Sequence, residues 1–161
     1  MSEARDLVEA AVPGSVVGEH DELGQAVLEV DRTRMIEVMR FLQGPPLAYV
    51  MLCSLTCADF YDTLDEHPER FRMAYHLLSL ESGSELRVRV WAGAENPELE
   101  SVVPVWSTAN FMEREVFDLF GVRFRNHPDL CRIMMPLDWE GHPLRRDYPI
   151  GGEAVQFSDA I

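Results

Sequence analysis

Two stretches concentrate the residues that could do chemistry: EREVFDLFGVRFRNHPDL at 113–130 and EGHPLRRDYP at 140–149. Together they hold two histidines, six carboxylates and five arginines, which could serve metal-assisted hydrolysis, acid–base catalysis or recognition of another protein. The five histidines at 20, 67, 76, 127 and 142 include no pair four residues apart, so no helix presents the two imidazoles of a HExxH zinc site. A metal site from His127, His142 and Glu140 would have to be assembled by folding; the Asn-His-Pro and Gly-His-Pro settings read instead as hydrogen-bonded turn histidines. Glu113 and Glu115, two apart on a helix, point to different faces and do not make an acid–base pair. Glu113 fits the third helical position after an Asn110 cap, where the helix dipole favours a carboxylate. No GxSxG, P-loop or GxGxxG is present, so acyl transfer, phosphoryl transfer and dinucleotide binding lack their usual machinery.

Docking is the stronger reading. Arg145, Arg146 and Asp147 could be a solvated charge run, but Pro143 and Pro149 stiffen the backbone around them and Trp139, Leu144 and Tyr148 interleave large apolar groups. Tryptophan, tyrosine and arginine are the residues most enriched at binding hot spots. The two arginines would offer bidentate contacts to a partner, and Trp139 and Tyr148 would fill its pockets.

The elements that must position these residues are legible in outline. SEARDLVEAAVPG reads as a short helix with Leu7, Val8 and Ala11 on one face. SVVGEHDELGQAVLEV suits a hairpin around an acidic turn. DRTRMIEVMRFLQG places Met35, Ile36, Met39 and Leu42 on one helical face, with Asp31 or Thr33 as cap and Gly44 as stop. Residues 47–56 read as a central strand. In ELRVRVWAG, Leu86, Val88 and Val90 alternate with Arg87, Arg89 and Trp91; with FRMAYHLLSLES and a Ser-Gly-Ser turn this predicts a second hairpin. A helix from about Ser107 stops at Gly121; Met112, Val116, Leu119 and Phe120 share a face, and Arg114 can pair with Asp118 at i, i+4. Beyond Arg125 there is no periodicity, and seven prolines or glycines fall between 128 and 152. The fold class is α+β, a mostly antiparallel sheet with flanking helices and a long extended C-terminal tail. Residues 1–127 form the domain and 128–161 a partner-binding tail that gains its order from the partner.

At 161 residues one domain can bury roughly 70% of its unfolded surface without staples. The net charge of −14 disfavours nucleic acid or an anionic membrane surface as partner. It is uneven: residues 1–112 carry 19 acids against 8 arginines, residues 113–150 only 7 against 6, and the chain has no lysine. Cys53, Cys57 and Cys131 form no CxxC pair and are too few for a four-thiolate cluster, so buried reduced thiols are expected. The first residues have no signal-peptide pattern and no apolar run is long enough to span a bilayer, which predicts a soluble, intracellular protein.

EREVFDLFGVRFRNHPDLCRIMM at 113–135 followed by DWEGHPLRRDYP at 138–149 resembles the signature of the 30 kDa subunit of respiratory complex I, the C subunit of NADH-quinone oxidoreductase. The matching positions are Glu113, Arg114, Glu115, Asp118, Leu119, Phe120 and Gly121, then His127, Pro128 and Arg132, then Trp139, Gly141, His142, Arg145, Arg146, Asp147, Tyr148 and Pro149. Cys131 stands where that family usually has a basic residue, and Arg132 beside it is the compensating charge. The resemblance implies a structural and assembly subunit without a catalytic group, flavin or cluster of its own. It would sit in the peripheral arm of a proton-translocating complex on the cytoplasmic face of the cell membrane. FMN, iron-sulfur clusters and quinone would be bound by other subunits, and the partners would be the large quinone-site (49 kDa-type) subunit and neighbouring iron-sulfur subunits. An equivalent subunit of a membrane-bound hydrogenase or another quinone-reducing complex is the alternative. The end at Ile161 reads as that of a separate polypeptide, where some bacteria fuse this subunit to the large one.

Overall fold

The computed structural model describes residues 3–149 and Gly151; the last part of the expected tail, residues 150 and 152–161, lies outside the described residues. The elements are α1 (Glu3–Ala11), β1 (Val16–Glu22), β2 (Gln25–Val30), α2 (Met35–Gln43), β3 (Met51–Asp59), a short 3-10 segment (Tyr61–Glu66), β4 (Phe71–Leu78), β5 (Glu85–Ala92), β6 (Glu98–Glu100), α3 (Ala109–Phe120) and β7 (Arg123–Arg125). Five strands form one sheet in the order β1-β2-β5-β4-β3, antiparallel except where β2 meets β5, and β6 pairs with β7 in parallel. The fold is α+β with a mostly antiparallel sheet.

The period of two in the β4–β5 hairpin decides which way the sheet faces. Cross-strand partners run from Phe71 opposite Ala92 to Leu78 opposite Glu85, so Phe71, Met73, Tyr75 and Leu77 line up with Leu86, Val88, Val90 and Ala92 on one side, all of them buried. Met35, Val38, Met39 and Leu42 of α2 join them in one core, with Ala109 and Val116 of α3. Each such buried Val, Leu, Met or Phe side chain contributes about 1.5–3 kcal/mol. The opposite side of the hairpin carries Arg72, His76, Arg87, Arg89 and Trp91.

Several expectations are corrected. In α1 the buried residues are Ala4 and Val8, continued by Val12, while Ala11 is exposed; the stripe sits one residue over from the expected one. In α2 the buried face also takes Val38, with Ile36 only partly buried against the core, and Asp31 accepts from the Thr33 amide and hydroxyl instead of capping the helix. The apolar run expected as a central strand is β3, which begins at Met51 and lies at the edge of the sheet. One of its faces is covered by α3, and that burial is enough to require apolar residues. The cysteines are free, with Cys53 exposed and Cys57 and Cys131 half-buried.

Candidate docking interface

The helix α3 carries two carboxylates with no solvent exposure, Glu113 and Asp118, and each organises a different segment. Glu113 is not a cap: the residue before the helix, Thr108, makes no side-chain cap bond. The Glu113 carboxylate instead accepts from the Ser101 hydroxyl and the Val102 amide, each at 2.7 Å, tying the chain after β6 to the helix. Burial pushes its pKa up to about 7, against the pull of those two donors. His127, whose side chain has no exposure either, lies 3.9 Å from that carboxylate. Its Nδ1 accepts from the Asp129 amide, which assigns the proton to Nε2, 3.1 Å from the Asn110 carbonyl oxygen.

A group whose folded pKa is raised makes the chain less stable as pH rises, because the unfolded carboxyl ionises first. The stability held through Glu113 is therefore full below about 4.5 and declines towards about 7. Glu113→Gln is expected to flatten the pH dependence of unfolding free energy across that window while leaving the fold intact. Urea titrations at several pH values measure this, and an unchanged slope would show that Glu113 stays ionised in the core.

Asp118 holds the tail. One carboxylate oxygen accepts from the consecutive amides of Ile133, Met134 and Met135 at 2.8–2.9 Å, and the other from Arg132 at 2.5 Å. Successive amides turned to one point form an anion cradle. Burial raises the Asp118 pKa, but the four donors outweigh it and hold the group at about 2. Arg132 also donates to the carbonyls of Trp139 and Gly141. The expected Arg114–Asp118 pair does not form: Arg114 reaches the Cys131 carbonyl at 3.2 Å and its sulfur at 3.0 Å. Arg132 is the cation on Asp118.

The tail also closes the C-terminus of α3, where the last carbonyls have no partner within the helix. His142 Nδ1 donates to the Asp118 carbonyl, the Leu144 amide to Leu119 and Arg145 Nε to Phe120; a cation there also meets the negative end of the helix dipole. Burial lowers the His142 pKa despite its bond to that carbonyl. Gly121, at φ 74°, sits where a Cβ would come within 2.5 Å of His142 and 2.6 Å of Arg145, and only glycine allows that approach. At Gly141, with φ 85°, a Cβ would come within 2.7 Å of the Tyr148 ring.

A second clamp comes from outside the signature. Arg70, 6% exposed, binds Asp59 in a bidentate way at 2.8 Å and Asp147 through two bonds of 2.6 and 3.0 Å. The rings of Tyr61 and Phe71 lie beside its guanidinium at 4.6 and 4.8 Å. Asp59 further accepts from the Arg146 amide, and Arg146 pairs with Asp62. Neither Asp59 nor Arg70 stood out in the sequence, because both sit in an ordinary polar stretch far from 147.

Over 128–149, the described part of the expected 128–161 tail, several polar groups are bonded to the chain's own domain. Arg145 and Asp147 are spent on the chain's own domain, and Tyr148 covers Gly141. What the segment turns outward includes large apolar groups, Ile133, Met134, Leu137 and Leu144, exposed by 39, 63, 83 and 52%, beside the exposed Asp129, Asp138 and Glu140. Glu115, Pro128 and Arg146 are exposed, and Trp139 is half-buried. Among the described residues no cluster of three or more His, Cys, Asp or Glu is placed to hold a metal ion, and no helix is long and apolar enough to cross a membrane.

The model of the family described as respiratory-chain NADH dehydrogenase, 30 Kd subunit, matches residues 28–154. The NADH-quinone oxidoreductase C subunit of Roseiflexus castenholzii is 41% identical over 152 residues, 94% of this chain and 85% of that one. NADH-quinone oxidoreductase subunit 5 of Thermus thermophilus is 39% identical over 160 residues, covering 96% and 76%. The C/D subunit of the Ectopseudomonas mendocina enzyme is 45% identical over 129 residues, 78% of this chain but 22% of that protein. The solved trypsin-resistant fragment (1-134) of Nqo5 superposes with a TM-score of 0.68 at 37% identity, covering 78% of this chain and 97% of the fragment. A chain of the archaeal membrane-bound sulfane sulfur reductase shares the fold, with a TM-score of 0.69 at 18% identity over 92% and 85%. With the signature helix and the segment it buckles both inside the matched residues, the chain belongs to the family of the 30 Kd subunit of respiratory-chain NADH dehydrogenase.

Proposed function

We propose that this chain is a structural and assembly subunit of the peripheral arm of a proton-translocating NADH:quinone oxidoreductase. It docks on the large quinone-site (49 kDa-type) subunit through the outer side of residues 128–149, beside neighbouring iron-sulfur subunits and at the cytoplasmic face of the membrane. FMN, iron-sulfur clusters and quinone are carried by other subunits, and no redox or catalytic group is assigned to this chain. The observation that carries the reading is the division of labour within the tail. Arg132, Arg145, Asp147 and the amides of 133–135 bond inward to α3 and Arg70, while Ile133, Met134, Leu137 and Leu144 face outward. A segment without regular structure that exposes large apolar groups on a polar scaffold is a docking surface more than a core. A groove of about 620 Å³ lined by Pro143, Leu144 and Tyr148, among others, continues that surface. The C/D relative supports the choice of partner, since only 22% of its length corresponds to this chain and the rest is joined to it covalently.

The test replaces side chains that make no internal bond. Met134→Asp with Leu137→Asp is expected to leave the melting temperature of the isolated chain unchanged and to weaken capture of the co-expressed large subunit by roughly thirtyfold, the effect of losing about 2 kcal/mol of hot-spot contact. Capture at parental strength would remove the tail from the interface. Arg145→Ala and Tyr148→Ala are unsuitable, because they disturb the closure of α3 and the packing on Gly141.

A further inference from the structure

The side of the sheet away from the core is rich in guanidinium groups. Cross-strand pairing sets Arg72 opposite Trp91, Ala74 opposite Arg89 and His76 opposite Arg87 on β4 and β5, with Glu29 of β2 beside Arg89. Their bonding is unequal. Glu22 alone serves both Arg87 and Arg89, and Arg89 Nε and the Trp91 indole N–H are buried without an acceptor. Arg72 is half-buried and touches two ring faces, Phe60 at 4.7 Å and Trp91 at 5.4 Å. Every other arginine among the described residues that is not exposed has a carboxylate or carbonyl partner within bonding distance; Arg72 makes close contact only with the rings, while Glu22 and Glu29 act on its charge from farther away. Stacking holds the plane of a guanidinium and leaves its N–H edge free. That edge borders a groove of about 500 Å³ lined by His20, Asp21, Glu22, Glu29, His67 and Trp91 as well as Arg72 and Arg89.

We propose that this groove is a second recognition site, which seats the carboxylate of an acidic side chain from a neighbouring polypeptide on the free edge of Arg72. A planar carboxylate matches the fork of a guanidinium through two parallel hydrogen bonds, and His67, stacked on Trp91 at 5.4 Å, walls the slot. The three carboxylates on the rim select a single negative charge over a phosphate or an anionic membrane, which they and the net charge of −14 repel. They also suit a basic residue next to the seated acid. The site lies on the side of the sheet that carries Arg72 and Arg89 and uses none of the tail's residues, so it stands whether or not the docking reading above is right.

The test uses the full chain with acetyl-Ala-Glu-Ala-Arg-Ala-amide as probe, followed through the NMR signals of the Arg72 Nε–H and Trp91 Nε1–H. A saturable shift is expected, at least tenfold weaker for the peptide with Gln in place of Glu, and at least tenfold weaker again for the Arg72→Gln chain with its remaining spectrum unchanged. Arg72→Lys, which keeps the charge and loses the fork, is expected to fall between the two. Equal shifts from the Glu and Gln peptides, undiminished binding by Arg72→Gln, or tighter binding of inorganic phosphate than of the peptide would each overturn the proposal. The comparison of the two peptides on the unaltered chain decides the matter even where a variant does not fold.

Discussion

Asp118→Ala is expected to lower the stability of the isolated chain by roughly 3–5 kcal/mol, the cost of leaving a buried ionic group without its partner. The loss is large because one carboxylate serves four donors: Arg132 and the amides of Ile133, Met134 and Met135. At about 2–4 °C per kcal/mol for a chain of this size, melting falls by roughly 6–20 °C. The tail also loses its anchor, so trypsin is expected to cut at Arg132, Arg145 and Arg146 far faster than in the parent. The pH dependence has a definite sign. The folded pKa of Asp118 is depressed, so its contribution is complete above about 3.8 and disappears as pH falls towards about 2; the gap between parent and variant closes over that range. A variant that melts with the parent and resists trypsin equally would show that the tail is held by something other than this carboxylate.

Arg70→Ala is expected to cost a similar amount, roughly 3–5 kcal/mol, for a related reason. It strips the bidentate partner from Asp59, a carboxylate with almost no exposed side-chain surface, and releases Asp147. Asp147 is 37% exposed at its side chain, so Asp147→Ala should cost far less, nearer the 0–1 kcal/mol of a surface pair. Burial raises the Asp59 pKa, but the bonds from Arg70 and from the Arg146 and Tyr61 amides outweigh it; the Arg70 bond lowers that of Asp147. Both contributions are present above about 3.8 and are lost as pH falls below it. Double-mutant cycles separate the pair from its surroundings: Arg70→Met with Asp59→Asn, neutral on both sides, should recover a large part of what Arg70→Met alone loses. Absence of recovery would mean that Arg70 acts through its packing on Tyr61 and Phe71.

These two clamps also show where reading the chain by itself stops. Periodicity within a short window was enough for the two hairpins, the three helices and the stop at Gly121, because alternation and helical spacing are local consequences of burying one face. The signature residues and the family could likewise be picked out in linear order. Local rules failed wherever a side chain chose between a near neighbour and a distant one. Glu113 has the spacing of a helix cap yet reaches back to Ser101 and Val102, and Asp118 passes over Arg114, four residues away, for Arg132 and three amides of the tail. Asp59, Arg70 and Asp147 meet although the last two are separated by 77 residues, and nothing local to any of them announces it. The edge position of β3 belongs to the same class, since an apolar run records that one face is covered but not how many strands lie beyond it. Pairing and coverage of this kind depend on which segments the closed fold brings together. The described part of the tail, aperiodic because its backbone is bonded to side chains and helix carbonyls instead of to a ladder, therefore read as unattached, although Asp118 holds it at 132–135 and Arg70 at Asp147.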